Sequence, residues 1–162
     1  MHSEINKKLV QLAYPQVKDM QNLLKNGADF NEVDVESDDT PFNDIVLSVC
    51  AGDTITECLR LGASPNPIST KGTSPLTQAA MANDYRTMMI LLEGGANPNI
   101  ACFSDEDSQT PLDIVFNEFH CTRRPADIKI CEAMEMILRE FGGKTYEELR
   151  NEKQNARTDS SS

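Results

Sequence analysis

Apolar residues recur along this chain in pairs of short runs at helical spacing, each pair carrying the same punctuation. The most regular pair lies in Gly72–Asn99, GTSPLTQAAMANDYRTMMILLEGGANPN. Ser74-Pro75 is a helix start, a hydroxyl N-cap followed by proline at the first helical position, where its missing N–H costs nothing. Leu76, Ala79 and Ala80 give the helix one apolar face built from very small residues. Asn83-Asp84 breaks it. Met88, Leu91 and Leu92 then predict a second helix over Tyr85–Leu92. Gly95 stands where a helix needs a left-handed terminal residue, and Ala-Asn-Pro-Asn follows as a turn.

The same landmarks return on both sides. Thr40-Pro41, Ser74-Pro75 and Thr110-Pro111 are separated by 34 and 36 residues; Gly27-Ala28, Gly62-Ala63 and Gly95-Ala96 by 35 and 33. Both series have the period of a stacked array of helix pairs. With DDTPFNDIV, GTSPLTQAA and SQTPLDIVF at helix starts, and LLKNGADFN, CLRLGASPN and LLEGGANPN at helix ends, the chain resembles an ankyrin repeat protein. The histidine usual after TPL is replaced by Asn43, Thr77 and Asp113, a departure from the family's hydrogen bonding between turns. The resemblance implies an all-α ankyrin solenoid of about four helix-turn-helix repeats joined by hairpins or turns. We expect repeats over about 3–31, 36–66, 70–99 and 106–149, within a domain covering 1–150 and with the outer two as caps.

Measured against the regular unit, its neighbours deviate. Residues 3–31 predict a polar-faced first helix ending near Tyr14-Pro15 and a second one closed by Gly27. The helix from Pro41 is expected to run long, because Gly52 arrives late, leaving a short second helix over Thr54–Leu61. The spans before Thr40 and Thr110 are lengthened and acidic, and read as protruding hairpins. NEFHCTRRPADIK predicts a loop in the fourth unit before a last helix over Ile128–Phe141. ILREFGGKTYEEL is expected to close the domain with a short helix, and 151–162 reads as a disordered polar tail.

Composition narrows the partners. The formal charge is −11 over 162 residues, which disfavours nucleic acid and anionic membranes. Acidity alone is a common solubilising feature; an acidic surface for a basic protein is the specific alternative. No signal peptide or transmembrane run is read, so the five cysteines are expected to be reduced thiols in a cytoplasmic protein. The acidic runs lack the ligand spacing of a calcium loop. Cys102, His120, Cys121 and Cys131 are the candidates for a metal or catalytic site, but their spacing matches no paired-ligand motif, so no cofactor, bound metal or catalysis is expected.

By resemblance, ankyrin proteins bind partners through hairpin tips and the ends of the first helices. That implies a non-catalytic interaction module, free as a monomer, whose acidic concave face and hairpin tips would bind a protein that is basic at the contact; an inhibitor or immunity-type protein is a specialised form, and an accessory adaptor whose activity lies in another chain is an alternative. The binding residues would be Glu36, Asp38, Asp39, Lys71, Asp105, Glu106 and Asp107 on the hairpins, with Tyr14, Met81, Asn117 and Glu118 at helix ends. Tyr14 and Met81 are the apolar anchors, or else pack on a neighbouring repeat.

Overall fold

The computed structural model describes residues 2–11, 17–34, 38–48, 52–69, 72–102, 108–121 and 124–159. Nine helices lie among them: α1 (His2–Gln11), α2 (Val17–Lys25), α3 (Pro41–Ser48), α4 (Gly52–Arg60), α5 (Pro75–Met81), α6 (Tyr85–Glu93), α7 (Pro111–Cys121), α8 (Pro125–Glu140) and α9 (Tyr146–Asp159). Successive helices pair as α1 with α2, α3 with α4, α5 with α6 and α7 with α8. The first members pack on one another in the order α1, α3, α5, α7, and the second members in the order α4, α6, α8. Leu76, Leu112, Met88, Leu91, Met134 and Leu138 are sealed from solvent between these layers, each contributing roughly 1.5–3 kcal/mol over the exposed state.

The start of each unit is fixed by a residue-plus-three partnership. Ser74 and Thr77 form a reciprocal cap: Thr77 N–H donates to Ser74 Oγ at 3.3 Å and Ser74 N–H to Thr77 Oγ1 at 2.8 Å. At Thr110 the partner is Asp113, whose carboxylate accepts from the Thr110 N–H at 2.8 Å. Asn43 N–H donates to Thr40 Oγ1 at 3.2 Å. The residues standing where the family's histidine is usual therefore bond locally to their own caps.

Unit ends are equally regular. Gly27, Gly62, Gly95 and Gly142 all have φ between 81° and 102°, the left-handed conformation that ends a helix. One residue later, the N–H groups of Ala28, Ala63, Ala96 and Gly143 donate five residues back, to the carbonyls of Leu23, Cys58, Leu91 and Leu138. Asparagines then tie turn to turn. Asn31, Asn66 and Asn99 each donate to the carbonyl of the next turn's glycine and accept the N–H of Ser64, Asn97 and Lys144. The first turn has no predecessor, and buried Asn6 on α1 accepts the Asp29 N–H at 2.9 Å instead.

Several expectations are corrected. Gly52 is the first residue of α4, not a late break; a Cβ there would lie 2.6 Å from Ile90 Cδ1, so the glycine lets α6 approach. Consequently α4 has nine residues, as many as α6. Most of the span read as a loop is helical: α7 continues through His120 to Cys121, and α8 starts at Pro125, three residues earlier than read. The closing helix is long, not short, and the stretch read as a disordered tail from Asn151 continues in α9 to Asp159. Thr145 and Glu148 cap α9 reciprocally at 2.7 and 3.2 Å.

Candidate functional site

Two kinds of surface follow from this frame. The hairpins begin at equivalent residues: Asp34 bridges to Asp39, Ser69 N–H donates to the Thr73 carbonyl at 2.9 Å, and Cys102 bridges to Gln109. The bridges enclose four residues in the first hairpin and six in the third, consistent with the lengthening expected before Thr110. One residue before each bridge stands an exposed apolar side chain, Val33, Ile68 or Ala101. At the far end of the first helices, Leu47 on α3 and Met81 on α5 occupy equivalent positions and are 59% and 41% exposed. Equivalent positions on packed helices form a row along the stack.

The acidic residues divide. Asp38 is exposed, on a left-handed backbone with φ 59°. Asp39 is buried: its carboxylate accepts from the Thr40 N–H at 2.8 Å and from Asn43 Nδ2 at 2.6 Å. It holds the start of α3. Asp34 is buried as well. Met81 and Asn117 are exposed and Glu118 is half-buried. Tyr14, Glu36, Lys71, Asp105, Glu106 and Asp107 lie outside the described residues. Leu47, Val33 and Ile68 were missed by the sequence reading, although counting 34 residues back from Met81 reaches Leu47.

The thiol and imidazole set is not convergent. Cys102 is buried in its hairpin, its Sγ donating to Thr77 Oγ1 at 3.1 Å near the start of α5. Cys131 Sγ lies 3.8 Å from Asn83 Oδ1, beyond the other end of α5. The two thiols therefore lie at opposite ends of α5. His120 is exposed in the last turn of α7, edge-on to Phe119 at 5.8 Å, beside exposed Cys121. Among the described residues no three His, Cys, Asp or Glu groups are placed to hold a metal ion. Burial pushes the Cys58 thiol up to about 12 and raises that of Cys131; neither is a ready thiolate nucleophile. No described helix is long and apolar enough to cross a membrane.

No curated protein matches the chain. Residues 71–102 match the family model described as Ankyrin repeat, covering α5, α6, the turn at Gly95 and the first arm of the following hairpin. Ankyrin repeats are in general protein–protein interaction modules. The reciprocal cap, the left-handed Asn83 and the glycine turn all fall within the segment that is similar to an ankyrin repeat.

Proposed function

We propose that the chain is a non-catalytic protein-binding module, a four-unit ankyrin solenoid that engages its partner with the ends of its first helices and its hairpins. The observation that carries this reading is the row of Leu47 and Met81, large apolar side chains exposed at equivalent places on adjacent helices. Isolated exposed apolar residues are ordinary; two at equivalent positions on adjacent packed helices form a row suited to a partner, and Val33 and Ile68 repeat the pattern on the hairpins. Asp38 and the formal charge of −11 favour a partner that is basic around its contact. Masking of such a partner, as an inhibitor or immunity-type protein does, is the specialised form of this role, and Asn117 and Glu118 would extend the surface onto α7.

Affinity capture from native lysate, with wild type and two variants as bait, tests this reading. Leu47→Asp with Met81→Asp should lose a protein that the wild type retains. Met136→Asp, on α8 and 72% exposed, should retain it. Captured protein should elute with rising salt, because exposed charge pairs are screened. Equal retention by both variants would remove the Leu47–Met81 row from the interface.

A further inference from the structure

The last helix carries a second surface of opposite charge. Glu148 and Glu152, one turn apart, point back to the body of the protein, where they pair with Arg139 at 2.7 Å and Lys144 at 2.6 Å. That fixes the rotation of α9. Tyr146, Leu149, Arg150, Lys153 and Arg157, at spacings of three and four, fall on the other face. With Asn99 and Ala101 they line a groove of about 250 Å³. Arg150 and Lys153 are in none of the ion pairs among the described residues.

We propose that this groove binds a short acidic segment of a partner protein carrying one apolar side chain. The charge is complementary: Arg150 and Lys153 are an exception in a chain of net charge −11, and Glu148 and Glu152 of the same helix are already engaged with Arg139 and Lys144. The apolar contribution comes from Leu149, Ala101 and the Tyr146 ring, between which an aliphatic side chain can be buried. A nucleic acid strand would run beyond three cations onto an acidic protein.

The test is fluorescence anisotropy with a fluorescein-labelled peptide of Glu and Asp residues around a single leucine, at low salt. The full chain should bind it. Arg150→Glu with Lys153→Glu should weaken binding about tenfold or more, whereas Arg150→Lys with Lys153→Arg should leave it nearly unchanged. All three proteins should have the same helical circular dichroism, since both side chains are at the surface. Replacing the peptide's leucine by serine should also weaken binding. The proposal is overturned by no binding, or by equal affinity of wild type and the double-Glu variant. It is equally overturned if the serine peptide binds undiminished, or if a single-stranded oligonucleotide of equal charge binds as tightly with the same sensitivity.

Discussion

The central unit, α5 with α6, and the C-terminal unit, α7 with α8, solve the same spacing problem differently. Helix starts stay in phase: Thr145 follows Thr110 by 35 residues, close to the 34 and 36 of the earlier intervals. Helix ends do not, since Gly142 follows Gly95 by 47 residues. The C-terminal unit lengthens its helices to 11 and 16 residues, against 7 and 9 in the central unit, and drops the hairpin between turn and next cap. Its Gly142 turn therefore runs directly into α9. The start of α9 is fastened to α7: Tyr146 N–H donates to the Asp113 carboxylate at 2.8 Å, and the Thr110 hydroxyl to the Lys144 carbonyl at 2.8 Å. Beyond its first turn, α9 is not laid along α7 as α7 is along α5. The hairpin, by its presence or absence, thus decides whether the next helix stacks or projects.

The largest break in this comparison should come from the core. Leu91 and Leu138 are equivalent, both sealed, and both accept the turn N–H five residues on. Truncation of either to alanine should cost about 2–5 kcal/mol in urea unfolding. Leu91→Ala should sit at the upper end, because α6 has second-layer neighbours on both sides, α4 and α8, and α8 has one. A larger loss at Leu138 would reverse the order of embedding inferred here.

A smaller effect tests the turns. The residue after the left-handed glycine is alanine at 28, 63 and 96 but glycine at 143. A Cβ at Gly143 would stand 2.7 Å from the Leu138 carbonyl oxygen, a backbone atom that cannot swing aside. Gly143→Ala should destabilise by about 1–3 kcal/mol through this overpacking. An unchanged urea midpoint would mean that the α8 terminus is free to relax.

The smallest expected effect distinguishes the caps by pH. Arg139 and the Thr145 N–H hold the Glu148 carboxyl down at about 2, from an ordinary 4.5. Its folded value is depressed, so its stabilisation is complete above pH 4.5 and lost as pH falls towards 2. Glu148 is largely exposed, so the loss is modest and confined to the start of α9. The Ser74–Thr77 cap is built from hydroxyl and backbone groups alone. Hydrogen exchange should show amide protection in the first turn of α9 falling across this window while α5 holds, and Glu148→Gln should abolish the difference.

Much of this was legible in residues. Ser74-Pro75 and Gly95 mark helix boundaries through local backbone chemistry, which a sequence displays directly. The asparagines of ADFN, ASPN and ANPN were legible only as turn formers; their partners lie about 30 residues or more away in the chain, and no local pattern reveals them. Gly52 misled because a glycine at the start of a helix, facing Ile90 of its neighbour, looks the same as one required by a break. His120 misled for a related reason: a polar run with Arg-Pro at its end resembles a loop, but helix packing against α8 carried α7 through it. At the candidate site, Met81 was visible as an apolar residue at a helix end, whereas the burial of Asp39 depended on Asn43 folding back onto it.

The order of caps, helices and turns, with the period that relates them, was written in the chain, because N-caps, prolines and left-handed glycines act within a few residues. Which acids face solvent, which thiols are sealed, and where α9 points were decided only in three dimensions. Those outcomes depend on contacts between residues far apart in sequence, and on ion pairs such as Arg139–Glu148 that set a helix's rotation after its position is fixed.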